Sequence, residues 1–155
     1  NLIQGHTSLQ QIHARLVSDL KLNASLDELE SMWLTSYSEP MPGIRDLLRR
    51  LNGKCRLVLL SNVDPFYWPI VEASIPELHS FHAKVLSFQH GLSKPDQLVF
   101  ERAIAASGVA VERCYFIDDK PENISAAAEA GLAGHTFQNC HTLKAALRQV
   151  NIQVG

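Results

Sequence analysis

The chain has 155 residues, 46% hydrophobic and 19% charged, with a net charge of −2 and its Lys and Arg scattered along the sequence. That is the size and make-up of one globular domain with a substantial core, and it offers no basic footprint for nucleic acid or an acidic membrane surface. The apolar runs are only a few residues long, far short of a bilayer span, and no signal-peptide pattern follows Asn1.

The first forty residues read as helical. Leu9, Ile12, Leu16 and Leu20 recur at helical spacing, and Leu26, Leu29 and Trp33 form a second such set, with Ser25 and Glu28 as a capping box in front of it. After Pro40 and Pro42 the pattern changes. A short amphipathic helix over 44–51 is closed by Gly53, and RLVLL (56–60) is the continuous apolar run of a strand buried on both faces. Residues 83–88 predict a second strand, and 95–107 a helix with Pro95 at its start and Gly108 past its end. CYFI (114–117) predicts a third strand, 121–130 a helix stopped by Gly131, 134–137 a fourth strand and 143–150 a last helix. Strands alternating with helices imply an α/β fold built on a doubly wound parallel sheet. The expected division is a partial helical cap over 1–40 and a core over 41–155.

In such sheets the chemistry lies beyond the carboxyl ends of the strands. Three polar sets fall there: Ser61-Asn62 after RLVLL, Lys94 in GLSKPD (91–96) before a helix, and Asp118-Asp119 after CYFI, followed by Lys120-Pro121-Glu122-Asn123. Taken singly, Ser61-Asn62 also reads as a turn or helix cap, and Lys94 as a solvated lysine. Adjacent carboxylates at the end of a buried strand are costly without a cation, and a hard divalent ion such as Mg2+ relieves that cost. Together the sets describe a phosphate-plus-magnesium site. Cys55, Cys114 and Cys140, odd in number and widely spaced, read as reduced thiols of a cytoplasmic protein. His79 and His82 lack partner ligands and read as surface residues, while Trp33 and Trp68 read as packing residues.

LLSNVDP, GLSKPD and CYFIDDKPENISAAAEAGL resemble, in order and spacing, the second, third and fourth motifs of the haloacid dehalogenase superfamily, and in particular its YihX-like sugar-phosphate phosphatases. QGHTSLQQIHARL (4–16) resembles the second part of that subgroup's helical cap. The resemblance implies an enzyme: a magnesium-dependent phosphohydrolase acting on a small phosphorylated metabolite through an aspartyl-phosphate. It implies that Ser61 bonds the phosphoryl oxygens, Asn62 shapes the same loop and Lys94 neutralises charge. It implies too that Asp119 binds Mg2+ directly, Asp118 through water, and that Asn123 braces the metal loop.

One departure stands out. The family's first motif is a central strand ending in Asp-x-Asp, and no two aspartates here are separated by one residue. That strand belongs between 56–60 and 114–117, so the expectation is a gap of roughly 10 Å in the sheet and a chain inactive as written. The strand could come from upstream sequence, from another chain, or from a rearranged segment such as 151–154. A non-catalytic binding or oligomeric module is the alternative reading, since open edges favour self-association. A metal-free dehalogenase is a third, and the Asp118-Asp119 pair argues against it.

Overall fold

The computed structural model describes residues 1–35 and 40–154. Residues 36–39 of the expected cap therefore lie outside the described residues. A 3-10 turn at Leu2–Gln4 precedes α1 (Leu9–Leu20) and α2 (Leu26–Thr35). Both helices start on capping boxes. The Ser25–Glu28 box is as the sequence indicates, and a second joins Ser8 to Gln11.

The remainder alternates helix and strand: α3 (Ile44–Leu51), β1 (Val58–Ser61), α4 (Trp68–Ser74), β2 (Ala83–Leu86), α5 (Ser87–His90), α6 (Gln97–Ser107), β3 (Tyr115–Asp118), α7 (Pro121–Glu129), β4 (Ala133–Thr136) and α8 (Cys140–Gln149). β2 is shorter than expected: at Ser87 the backbone turns into α5, and the Ser87 hydroxyl bonds back to Val63 instead of the chain extending the sheet. α8 starts earlier than its apolar pattern suggests, because the Asn139 side chain accepts from Thr142 N–H and caps it at Cys140.

β1 pairs in parallel with β2, and β3 in parallel with β4; among the described residues no ladder joins β1 to β3. The expected doubly wound sheet is therefore two parallel pairs, and it is open at the position where the sequence lacks a strand. Helices cover both faces. Val58 and Leu60 of β1 and Phe116 of β3 pack on the α6 and α7 residues Val99, Phe100 and Ala127. The alternate residues turn the other way, Leu59 toward the cluster of Tyr67 and Trp68, and Tyr115 and Ile117 toward Leu47, Leu51, Leu143 and Leu147 of α3 and α8. That is the period-two alternation of strands covered on both sides. Phe100 sits edge-on to Phe116, 5.3 Å between ring centres.

The tail does not fill the gap. Residues 151–154 form no strand, and Val154 is buried with Leu47 and Leu147 while Lys54 Nζ holds the Gln153 carbonyl at 3.1 Å.

Candidate phosphate and metal site

The carboxyl ends of β1 and β3 meet at Lys94. Its ammonium donates to the Leu60 carbonyl of β1 at 3.1 Å and to Asp118 Oδ2 of β3 at 2.5 Å. Both side chains of this ion pair are largely buried, Lys94 11% and Asp118 6% exposed, so each charge depends on the other for compensation. The Lys94 ammonium also lies 5.8 Å from the centre of the Phe116 ring.

Lys94 is held in place by Asn62. The Asn62 amide accepts from Lys94 N–H at 2.8 Å and donates to the Lys94 carbonyl at 2.9 Å. Its amide group is thus committed to the lysine's backbone, which gives Asn62 a bracing role. Ser61, the residue before it, ends β1 half-buried, and its hydroxyl has no hydrogen-bond partner among the described residues.

Asp118 accepts three hydrogen bonds. Besides Lys94, it accepts from Lys120 N–H at 3.0 Å and from Asn123 Nδ2 at 2.8 Å. Burial pushes its pKa up, but the bonds from Lys94, Asn123 and the Lys120 amide outweigh that, and the carboxyl is held below its ordinary value. Asn123 reaches it because Pro121 starts α7 immediately after the loop, placing Asn123 in the first turn, 4% exposed. Asp119, by contrast, is exposed and its carboxylate makes no hydrogen bond among the described residues.

Of the six candidate site residues, Ser61 and Asp118 end β1 and β3, Asn62, Lys94 and Asp119 lie in loops, and Asn123 is in the first turn of α7. Three contributors have weaker signals. Asp64, 0% exposed, accepts from Phe66 N–H, Tyr67 N–H and Trp33 Nε1; the Asp-Pro turn after Ser61-Asn62 hints at a cap, but nothing in the sequence hints at Trp33. Ser87, also 0% exposed, both donates to the Val63 carbonyl and accepts from Val63 N–H, and it has no sequence signature. Gln4 Nε2 donates to Ser93 Oγ beside Lys94; Gly5, at φ 72°, permits this approach, since a Cβ there would stand 2.8 Å from the Phe88 carbonyl oxygen. Trp68 is a packing residue, buried beside Val63, Leu78 and Leu86.

The chain belongs to the haloacid dehalogenase-like hydrolase family, whose model matches residues 1–131. It is 27% identical over 130 residues to flavin mononucleotide hydrolase 1 of Arabidopsis thaliana, covering 84% of this chain and 53% of that protein. It is 28% identical over 143 residues to the D-ribitol-5-phosphate phosphatase of Bacteroides thetaiotaomicron, covering 88% of this chain and 68% of that one. The chain thus spans about half the length of the first relative and about two thirds of the second. In fold it matches a crystal structure of a Bacteroides thetaiotaomicron enzyme of this family in complex with magnesium and inorganic phosphate. The TM-score is 0.77 at 20% identity, over 90% of this chain and 73% of that one. It is thus an enzyme-family chain with phosphatase relatives and an α/β fold. No described helix is long and apolar enough to cross a membrane.

Proposed function

We propose that this chain carries the phosphate- and magnesium-binding part of a phosphatase that cleaves small phosphate esters through an aspartyl-phosphate. The observation that carries this is the Lys94 ammonium joining the ends of β1 and β3, with the unengaged Ser61 hydroxyl and the unengaged Asp119 carboxylate on the two strand ends it joins. A phosphoryl group placed there would meet a cation and a hydroxyl donor fixed before it arrives, which is the arrangement that stabilises developing charge.

The donor set fits magnesium. Mg2+ takes one or two carboxylates and fills the rest of its shell with water and phosphate oxygens. Asp119 would bind the ion directly, while Asp118, already engaged by Lys94, Lys120 and Asn123, would reach it through water. Bound there, the ion would supply charge neutralisation to the phosphoryl oxygens. Lys94 adds a positive charge, Ser61 a hydrogen bond, Asn62 holds Lys94 and Asn123 holds Asp118. That a relative acts on ribitol phosphate and another on flavin mononucleotide supports a small phosphorylated metabolite as substrate.

The nucleophile is the missing element. In this reading an Asp-x-Asp strand fits between β1 and β3, with its aspartates emerging beside Lys94, and this sequence does not contain it. The 155 residues alone would then bind phosphate without hydrolysing an ester. The test is magnesium-dependent release of phosphate from an aryl phosphate. The chain alone is expected to show no turnover, and a polypeptide that joins it to an Asp-x-Asp strand is expected to gain it. Turnover by the chain alone would overturn the aspartyl-phosphate route. The open edges of β1 and β3 favour a second reading, a non-catalytic module that pairs with another strand; self-association measured by sedimentation separates it from the first.

A further inference from the structure

Asp64 divides its two oxygens between different tasks. Oδ1 accepts from Phe66 N–H at 3.0 Å and Tyr67 N–H at 2.8 Å, fixing the turn into α4. Oδ2 accepts from the indole Nε1 of Trp33 at 3.1 Å, near the end of α2. Next to that bond, Leu34 packs on the cluster containing Val63 and Tyr67. Between Asn62 and Asp64, Val63 is pinned by both of its backbone groups to the Ser87 hydroxyl, at 3.0 Å each. Residues 62–64 are therefore tied at three successive positions: to Lys94, to the start of α5 and to α2.

We propose that Asp64 is a positioning residue, and that its bond to Trp33 docks the helical segment onto the loop bearing Ser61 and Asn62. The placement of Lys94, which Asn62 grips, then depends on that docking. The proposal rests on the phosphate-site reading only for what the loop does. A chain that binds no phosphate would sink that reading and leave the docking result standing.

Two substitutions separate the tasks of the carboxylate. Asp64→Asn keeps one oxygen for the Phe66 and Tyr67 amides but points an NH2 at the indole N–H, donor against donor. Trp33→Phe removes the indole donor, with part of the ring, and leaves Asp64 and its turn bonds in place. The readout is amide hydrogen exchange, residue by residue, on the full chain. Each variant is expected to speed exchange at the Val63 and Lys94 amides about tenfold or more, with amides of α8 and β4 unchanged. The double variant is expected to add little to either single one, because both break the same bond. Unchanged exchange at Val63 and Lys94 in both variants, or equal acceleration across every core amide, would overturn the proposal. The unmodified chain gives a check that needs no variant to fold. The Trp33 indole N–H and the Lys94 amide should exchange through one opening, with rates that respond alike to added urea. Opening constants that differ by more than about tenfold would contradict the docking.

Discussion

Replacing Asn62 by alanine removes two hydrogen bonds to a single residue, the 2.8 Å bond from Lys94 N–H and the 2.9 Å bond to the Lys94 carbonyl. A net hydrogen bond stabilises by about 0.5–1.5 kcal/mol, and a buried group left unpaired costs about 1–3 kcal/mol. Asn62 is half-buried, so water reaches part of the polar surface its loss exposes and the lower ends of these ranges apply. The expected loss is about 2–3 kcal/mol. Equilibrium urea unfolding followed by far-ultraviolet circular dichroism measures it. With a slope of about 1–3 kcal/mol per molar for a small protein, the midpoint should fall by roughly 1 M. Ser61→Ala is the paired control. Its hydroxyl has no partner among the described residues, so that variant should stay within about 0.5 kcal/mol of the parent. A loss below about 0.5 kcal/mol for Asn62→Ala would refute the clamp. A Ser61→Ala loss as large as that of Asn62→Ala would show that the serine hydroxyl is not free for a ligand.

Further outcomes follow from the same geometry. Lys94→Met leaves Asp118 buried without its ammonium and should cost about 3–5 kcal/mol by urea unfolding, whereas Lys94→Met combined with Asp118→Asn should recover part of that; no recovery would mean the lysine acts through packing alone. Phe100→Ala, at a site 0% exposed against Phe116, should cost about 3–5 kcal/mol in the same assay, and a value near zero would contradict the shared core of α6 and β3. Burial, with the Asp64 charge adding to it, raises the Tyr67 phenol above its ordinary pKa, so the folded state favours the neutral phenol. That stabilisation is complete below the unfolded tyrosine value, about 10, and is lost as pH climbs from there through the folded value. Thermal unfolding across that range should show a decline that Tyr67→Phe reduces, and identical profiles would contradict the assignment.

The sequence made much of this legible because periodicity and strand-end polarity are local signals. RLVLL and CYFI read as strands buried on both sides, and the polar residues that follow each one could be placed at the site end without a structure. The open sheet was expected only through the family resemblance, whose central Asp-x-Asp strand has no counterpart in this sequence. What was not legible depends on contacts between distant residues. Ser87 looks like a continuation of β2, and only the Val63 backbone lying across from it turns the chain into α5. Trp33 reads as one apolar residue in a helical set. Its bond to Asp64 spans 31 positions and has no sequence signature. Asn62 reads as a turn or cap residue, or by the family resemblance as one that shapes the phosphate loop, and its two bonds to the Lys94 backbone, made across 32 positions, are not legible in either reading.

In the proposed function Lys94, Ser61 and the Asp118-Asp119 pair form a phosphate and magnesium site. Calorimetric titration of the 155-residue chain with inorganic phosphate, with and without Mg2+, tests it most directly. Mg2+ is expected to strengthen phosphate binding at least about tenfold, a coupling of about 1.4 kcal/mol, and Asp119→Asn is expected to abolish that effect. Phosphate binding that ignores both Mg2+ and Asp119, or no binding at all, would contradict it.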